Sequence, residues 1–386
     1  MQVIVKVTTA CNLNCTYCSE GDKPVQYMEK EIIKKMIDDL PALAEKENTK
    51  KIDILWHGGE PLMMPKDILT EAMDYARQQL QGYELRFLVQ TNGTLVTPEW
   101  IDIFKKYGVE VGVSIDGYRE LHDENRRKKD GTSSYDDVVS HIHDLRQAGI
   151  PVGTLMVLNT EKDIDIDRLY DCIQEIGTSI KIHSVIPCGR AKGDPRSEEI
   201  AKKYVALLKE LFVRSMADEN PVTINPLEEL INALLGVRTV GECSFAGTCC
   251  RGLICIYPDG GVGYCGRDGV HADFLFGHIQ DQSLVELYSG EKAAYIRQRQ
   301  AYLQQHDCKD CDDWDFCHGG CSFEAINMFQ TMYHAYPNCQ ERRELIEYLR
   351  TTGMVLLRDH LIKEKRKRRS HIKQHRQLLE ELSHEK

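Results

Sequence analysis

The stretch "VIVKVTTACNLNCTYC", residues 3–18, begins as a β-branched apolar run and ends in a loop that contains three cysteines. Cys11, Cys15 and Cys18 follow a C-x3-C-x2-C spacing. An odd number of thiols this close together cannot all pair as disulfides, so the spacing indicates ligands of a metal. We therefore predict a metal or cluster site at the carboxyl end of the first strand.

Apolar runs that end in turn residues recur along the first half of the chain. They cover residues 3–9, 51–59, 85–93, 109–117, 152–159 and 180–186. Segments of helical periodicity separate them at 28–46, 65–80, 97–108, 134–149 and 163–177. Six β-α units in series require parallel strands with crossover helices, as a doubly wound sheet or as a barrel. The predicted fold class is α/β.

Polar or glycine-rich tails follow four of these strands, namely "ACNLNC", "HGGEP", "QTNG" and "SIDG". The carboxyl ends of parallel strands meet on one face of a sheet or barrel, and ligands bind there. The cysteine loop belongs to that face. We expect the functional site to be built from these four tails.

Composition narrows the class of protein. The chain has 386 residues and 15 cysteines, with neither a membrane-length apolar run nor a signal segment at its start. Cysteines in such a chain point to metal or redox chemistry and a cytoplasmic location rather than to secreted disulfides. The net charge of -11 argues against general nucleic-acid binding. The basic stretch 363–376 is either a solvated terminal helix or a contact for an acidic partner.

Two kinds of metal site fit the first loop. A 4Fe-4S cluster normally takes four thiolates, so three would leave one iron open to another ligand. A structural zinc site completed by a distant ligand such as His57 is the alternative. Gly58 and Gly59 would let the backbone approach a cofactor, and Glu60 could accept hydrogen bonds from an ammonium group. An ordinary strand-to-helix turn with Pro61 near the helix start also fits "HGGEP".

Two motifs resemble those of the radical S-adenosylmethionine (SAM) superfamily. They are "CNLNCTYC", with Tyr17 between the last two cysteines, and "GGEP" after the second strand. The resemblance implies a partial (β/α)6 TIM-like barrel, and SAM chelated by the open iron. One electron from the cluster would then produce a 5'-deoxyadenosyl radical. The residues that the resemblance places at the cofactor are Tyr17, Gly58, Gly59, Glu60, Gln90, Thr91, Asn92, Ser114, Asp116 and Arg126. The last six could equally be turn or cap residues.

A second cysteine-rich region begins at Cys243 and ends at Cys339. On spacing alone a zinc ribbon fits its C-x2-C pairs. In a chain that also has the radical SAM motifs, this region resembles a SPASM extension with two auxiliary 4Fe-4S clusters, which makes three clusters in all. The stretches that carry the resemblance are "CSFAGTCCRGLICIYPDGGVGYC" and "CKDCDDWDFCHGGC". By that resemblance one cluster takes Cys243, Cys249 or Cys250, Cys265 and Cys321, and the other takes Cys308, Cys311, Cys317 and Cys339.

We divide the chain into a barrel at 1–194, a helical linker at 195–242, a SPASM domain at 243–345 and a basic helical tail at 346–386. We expect metal rather than a large apolar core to organise the SPASM domain. Cys172 and Cys255 fit buried apolar positions. Cys188, after the sixth strand, is a candidate hydrogen-atom donor or substrate contact.

The resemblance implies oxidation of a peptide or protein substrate. The radical would take a hydrogen atom, and the auxiliary clusters would accept the electron that follows, which installs a crosslink or similar modification. Sulfatase maturases share the layout but have an aspartate base directly after the position of Cys265. This chain has Gly266 there, and Asp268, two residues further on, is a candidate catalytic base. A maturase, a small-molecule dehydrogenase and a non-catalytic electron carrier are the alternatives.

Partners follow from the same reasoning. We expect an external electron donor of the flavodoxin or ferredoxin type. Since only ten residues precede Cys11, we expect no leader-binding domain there, and a separate leader-recognition protein is a candidate partner. No membrane or nucleic-acid partner is expected.

Overall fold

The computed structural model describes residues 1–160, 163–191, 197–237, 241, 243–267 and 275–367. Its first part is an α/β barrel segment, as predicted. The strands are β1 Gln2–Thr8, β2 Lys51–Gly58, β3 Glu84–Thr91, β4 Glu110–Ser114, β5 Val152–Leu158 and β6 Ser179–Ser184. The helices between them are α1 Lys30–Lys46, α2 Lys66–Gln79, α3 Pro98–Tyr107, α4 Arg119–Asn125, α5 Tyr135–Gln147 and α6 Ile166–Ile176.

All six strands are parallel and lie in chain order. Alternate residues of each strand face the helices or the inside of the curved sheet. In β1, Val3, Val5 and Val7 belong to the apolar core shared with the helices, whereas Lys6 pairs in register with His57 of β2. The polar inner face and the loops at the carboxyl ends therefore share one side of the structure.

The helices begin and end where local chemistry stops the backbone ladder. The Thr97 side chain caps α3 by accepting a hydrogen bond from the Trp100 N–H, with Pro98 in the first turn. Gly108 ends the same helix in the left-handed conformation, at φ 64°. These caps explain why α3 begins and ends within one residue of the segment 97–108 predicted from the sequence.

Two helices and a short strand form the linker. They are α7 Ser197–Ala217, β7 Ile224–Asn225 and α8 Leu227–Leu234. β7 pairs in parallel with β6 and extends the sheet by one strand that the sequence did not predict. At two residues it is too short to show an apolar period.

The second region contains α9 Cys243–Ala246, β8 Leu253–Ile256, β9 Gly261–Gly263 and β10 Gly277–His278. Five more helices follow: α10 Leu284–Ser289, α11 Glu291–Gln305, α12 Trp314–Cys317, α13 Ser322–Phe329 and α14 Cys339–Tyr348. A π-helical turn at Leu349–Gly353 leads into helical residues 354–367. No described helix is both long and apolar enough to cross a membrane.

One expectation about this region is wrong. β8 pairs in parallel with β1, and β9 and β10 continue the same ten-stranded sheet on that edge. Ile254, Ile256 and Val262 belong to the same apolar core as β1 and α1. The start of the predicted SPASM segment is thus held by the barrel's own core and sheet, so metal is not its only organiser.

Candidate functional site

Neighbouring loops hold the first cysteine loop in place. The N–H groups of Asn14 and Thr16 donate to the carbonyls of Arg127 and Asn125, at 2.8 and 3.0 Å. From the other side, the Arg190 side chain donates to the Cys15 carbonyl at 2.9 Å. The loop between Cys11 and Cys18 is therefore fixed by hydrogen bonds to its backbone from the neighbouring loops.

The three thiols lie close enough for their charges to interact. Burial raises the pKa of Cys15 to about 12, and the thiolates of Cys11 and Cys18 add to the rise while the Arg126 guanidinium opposes it. Burial is also the main cause that raises the pKa of Cys11. Three partly buried cysteines in one loop are costly to ionise together unless a cation shares their charge, which is what iron supplies.

The turn after β2 packs directly onto the start of this loop. A Cβ on Gly59 would lie 2.3 Å from the Ala10 carbonyl oxygen, and one on Gly58 would lie 2.3 Å from that of Thr8. The N–H groups of Gly59 and Glu60 donate to the same two carbonyls, each at 2.7 Å. Glycine is therefore required at both positions for the turn to reach the cysteine loop.

Glu60 has a fully buried side chain whose carboxylate joins β2 to β3. It accepts hydrogen bonds from the Thr91 hydroxyl at 2.6 Å, the Asn92 N–H at 2.7 Å and the Leu62 N–H at 3.0 Å. Burial raises the pKa of Glu60 to about 6, although these donors oppose the rise. The carboxylate orients the two turns beside Cys11, and the Asn92 side chain contacts the Cys11 sulfur at 3.8 Å.

Asp116 is the centre of a second buried network. Its carboxylate accepts hydrogen bonds from Arg126 at 2.9 Å, from the Val157 N–H at 3.0 Å and from the Tyr17 hydroxyl. The Arg126 guanidinium also lies over the Tyr17 ring, 5.5 Å from its centroid. The side chain between Cys15 and Cys18 is thus anchored to β4 and α4 through Asp116.

His122 supports the same network through hydrogen bonds from its imidazole ring. Its Nδ1 accepts the Asp116 N–H at 3.3 Å, and Nε2 lies 2.8 Å from the Ser134 hydroxyl. Burial lowers the pKa of His122 to about 3, and the nearby Arg126 charge adds to this effect. The imidazole is therefore neutral, with its proton on Nε2, and serves to orient Asp116.

Gln90 and Ser114 meet on the inner face of the sheet. The Gln90 amide donates to the Ser114 hydroxyl at 3.0 Å, and its carbonyl oxygen occupies the space beside Gly112, where a Cβ would lie 2.3 Å away. Thr91 faces the other side of β3 and holds Glu60. The predicted cofactor residues therefore divide into inner-face side chains and residues that support the turns.

The cysteines of the second region form two groups. Burial raises the pKa of Cys308 to about 12, and Cys317, Cys311 and Cys339 add to the rise, so these four lie together. Burial also raises the pKa of Cys321, to which the thiolates of Cys249 and Cys243 contribute. Cys265 belongs with this second set because it interacts with Cys249.

The side chains of the adjacent residues Cys249 and Cys250 point to different neighbours. The Cys249 sulfur lies 3.3 Å from the Ser322 hydroxyl, next to Cys321. Cys250 is fully buried, and its sulfur accepts a hydrogen bond from Arg297 at 3.5 Å. Only Cys249 therefore faces the group that contains Cys321 and Cys265.

A buried hydroxyl in the same group fits a cluster. Among the described residues, the Tyr264 hydroxyl has no hydrogen-bond partner of good geometry, although Ser322 lies beside it. Its ring is 1% exposed, and the thiolates of Cys265, Cys249 and Cys321 surround it. A buried hydroxyl without an acceptor is unfavourable, and the sulfur of a cluster would supply one.

Within the described ranges, no three histidine, cysteine, aspartate or glutamate side chains converge closely enough to hold a single metal ion. A 4Fe-4S cluster does not require such convergence, because each of its thiolates binds a different iron.

Cys188 lies between the two halves of the site. It is 4% exposed and packs with Cys321 and Phe323. Burial raises its pKa to about 11, and Arg267, Glu324, Cys18 and Cys265 are the charged groups near it. The thiol is thus within electrostatic range of both the first loop and the second region.

Sequence reasoning missed several charged residues that support these groups. The buried Lys6 ammonium pairs with Glu20, two residues after Cys18, at 2.5 Å. Arg267 and Arg342 donate to the sulfurs of Cys321 and Cys317, at 3.7 and 3.8 Å. Arginines carry no spacing signal, and the only hint is that Arg267 follows Cys265 by two residues.

Two predicted features lie wholly or partly outside the described residues. Asp268, the candidate base, is one of them. The basic stretch 363–376 is described only as far as Lys367, which pairs with Glu219. Cys172 and Cys255, the two cysteines assigned to apolar positions, are 5% and 0% exposed.

Comparison with known proteins agrees with this geometry. The model of the radical SAM superfamily matches residues 5–173, and that of the SPASM iron-sulfur cluster-binding domain matches residues 248–312. A serine-type anaerobic sulfatase-maturating enzyme of Bacteroides thetaiotaomicron is 27% identical over 351 residues, 83% of this chain and 82% of that protein. An Fe-coproporphyrin III synthase of Methanosarcina barkeri is 26% identical over 378 residues, 90% of this chain and 89% of that protein.

Among solved structures, native anSMEcpe with bound AdoMet and Kp18Cys peptide has a similar fold. The TM-score is 0.79 at 21% identity, over 93% of this chain and 98% of that chain. The predicted partial barrel with a SPASM region is thus confirmed, and SAM and iron–sulfur clusters are the cofactors. The chain therefore contains a radical SAM domain followed by a SPASM domain, and it is a radical SAM iron–sulfur enzyme.

Proposed function

We propose that this enzyme oxidises a side chain of a peptide or protein substrate by hydrogen-atom abstraction followed by loss of one electron. The observation that carries the proposal is the position of Cys188, which lies in range of both Cys18 and Cys265. The loop that would form the radical and the cysteines that would accept the electron therefore both lie near this one buried thiol. Peptide substrates are named for similar proteins, such as anSMEcpe with its bound peptide.

The ligand sets follow from the three cysteine groups. Cys11, Cys15 and Cys18 would hold the cluster that binds SAM. Cys249, rather than Cys250, would complete one auxiliary cluster, because its sulfur faces Cys321 and the Cys250 sulfur is bonded to Arg297. The auxiliary sets are Cys243, Cys249, Cys265 and Cys321 for one cluster, and Cys308, Cys311, Cys317 and Cys339 for the other.

SAM bound at the first cluster supplies the 5'-deoxyadenosyl radical. In the net reaction the substrate loses a hydrogen atom to that radical, one electron to an auxiliary cluster and one proton to a base. The role of this chain's residues is to keep the space dry and to hold the substrate still. A cavity of about 100 Å³ between β6 and the second region, lined in part by His183, Arg267, Glu324 and Tyr336, suits this role.

Formylglycine formation by a sulfatase-maturase mechanism is the second candidate, because a maturase is among the similar proteins. One feature opposes the mechanism expected from the resemblance, in which an aspartate follows Cys265. A Cβ on Gly266 would lie 2.8 Å from the Cδ1 atom of Ile4, so an aspartate at 266 needs the Ile4 side chain to move. The base must therefore come from another residue.

Two partners belong to the proposal. A reductant of the flavodoxin or ferredoxin type would supply the electron that cleaves SAM. A separate leader-recognition protein would present a peptide substrate. One relative is an Fe-coproporphyrin III synthase, whose name indicates a small-molecule substrate. Turnover of a small molecule instead of a peptide is therefore the competing outcome.

The test is an assay with two substrate classes. Reduced, reconstituted enzyme is incubated with SAM and a panel of peptides, including sulfatase-derived peptides with serine or cysteine, and in parallel with coproporphyrins. We expect a peptide to lose two hydrogens, by mass spectrometry, in step with 5'-deoxyadenosine, and Cys15→Ala to lose both signals. Turnover of a porphyrin but of no peptide would contradict the proposal.

A further inference from the structure

A chain of charged side chains, partly buried at Arg267 and Glu324 and buried at Arg342, joins the two auxiliary cysteine groups. Arg267 donates from one nitrogen to the Cys321 sulfur at 3.7 Å and to the Glu324 carboxylate at 3.4 Å. Arg342, which interacts electrostatically with Glu324, donates to the Cys317 sulfur at 3.8 Å. Glu324 thus lies between two guanidinium groups, each of which contacts a cysteine of a different group.

The second guanidinium is held rigidly. Arg342 is 7% exposed and lies between the rings of Tyr336 and Phe245, 3.8 and 4.0 Å from their centroids. It also donates to the Ser244 carbonyl. Tyr336 contacts Glu324 as well, so the carboxylate and Arg342 share one aromatic neighbour. The position of the charge next to Cys317 is therefore fixed by packing.

The geometry points to a tuning role: Arg267 and Arg342 raise the reduction potentials of the two auxiliary clusters, each acting on one cluster, and Glu324 limits both effects. This inference rests on the ligand sets proposed above. An N–H donor on a cluster thiolate, and a positive charge beside it, favour the reduced cluster, which carries one more negative charge. Glu324 brings a negative charge between them and opposes both arginines.

The arrangement suits clusters that accept an electron from substrate. Acceptors need potentials high enough to take the electron, and two clusters in series need potentials that are set separately. One arginine per cluster provides separate control, and the shared carboxylate couples the two. Arg299, which is 3% exposed, donates to four backbone carbonyls and so holds the loop around residues 319–334. Its charge lies in electrostatic range of Cys249 and Cys321 in one group and of Cys308 in the other, so it does not set the two potentials separately.

The test measures potentials rather than turnover. The full chain carrying Cys11→Ala, Cys15→Ala and Cys18→Ala is reconstituted so that only the auxiliary clusters contribute, and each is titrated by electron paramagnetic resonance. We expect Arg267→Met to make one potential more negative and Arg342→Met to make the other more negative. We expect Glu324→Gln to raise both.

Arg297→Met is the matched control, because Arg297 donates to the sulfur of Cys250, which is outside both proposed sets. It should leave both potentials unchanged. Iron content tests the ligand sets independently of the tuning role. About eight irons per chain would support the ligand sets, and fewer than about four would refute them.

If Arg267→Met takes up no iron, Arg342→Met and Glu324→Gln decide the matter, since both keep Arg267 in place. Unchanged potentials in Glu324→Gln together with either Arg267→Met or Arg342→Met, at full iron content, would overturn the inference.

Discussion

Replacement of Gly59 by alanine should weaken SAM binding strongly, because the new methyl group would collide with the backbone of the cysteine loop. The new Cβ would lie 2.3 Å from the Ala10 carbonyl oxygen and 2.6 Å from that of Thr9. Ordinary contacts begin near 3.4 Å, so the turn must move by about 1 Å against backbone atoms that cannot rotate away. That movement pulls the turn off the loop that begins at Cys11.

The magnitude follows from what breaks. Overpacking costs about 1–3 kcal/mol, and the two N–H groups that donate to Thr8 and Ala10 at 2.7 Å are worth about 1 kcal/mol each. A loss of about 3 kcal/mol or more at the cofactor's turn corresponds to roughly a hundredfold weaker binding. We expect the dissociation constant of SAM to rise by about that factor.

Isothermal titration of the reconstituted enzyme with SAM is the assay. Gly153→Ala is the matched control, because a Cβ there would meet nothing closer than the Ser179 hydroxyl at 3.7 Å. We expect Gly153→Ala to bind SAM within about twofold of the wild type. Equal affinities for Gly59→Ala and Gly153→Ala, at equal iron content, would refute the close-approach reasoning.

The remaining predictions use the same holoenzyme. Arg126→Met should destabilise the protein by about 3–5 kcal/mol in urea unfolding, because it leaves the Asp116 carboxylate buried without its ion pair. Arg86→Met removes a half-exposed partner of Asp53 and should cost about 1 kcal/mol or less. Equal free-energy costs for the two variants would count against the buried network. Cys249→Ser should lose about four irons of about twelve in a colorimetric iron assay, whereas Cys250→Ser should lose none; the reverse pattern would reject Cys249 as the ligand. SAM affinity should fall as the pH drops below about 6, because the protonated Glu60 carboxyl accepts hydrogen bonds less well, and titrations at pH 5 to 8 should give a flat profile for Glu60→Gln if this cause is correct.

The barrel could be predicted from the sequence because its strands and helices differ sharply in period. The runs at 3–9 and 180–186 became β1 and β6, since β-branched residues alternate with polar ones and turn residues end each run. The strands at 224–225 and 261–263 were missed because two or three residues show no period. Their pairing depends on long-range contacts with the barrel, which a local pattern does not contain.

The site was predictable where the chemistry needs a fixed spacing, as in the cysteines and the glycines of "HGGEP". The roles of Asp116 and Arg126 were not, because residues in turns look alike in sequence whether they face a cofactor or, as here, bind each other and Tyr17. The buried ion pair of Lys6 with Glu20 was also missed. A lysine within a strand usually indicates a solvent-facing position.

The most direct test of the central claim is the amount of 5'-deoxyadenosine formed from SAM by reduced, reconstituted enzyme, with Cys15→Ala measured in parallel. We expect the wild-type enzyme to form 5'-deoxyadenosine, a peptide substrate to increase the amount, and Cys15→Ala to form none. No 5'-deoxyadenosine from the wild-type enzyme at full iron content, or an equal amount from Cys15→Ala, would contradict it.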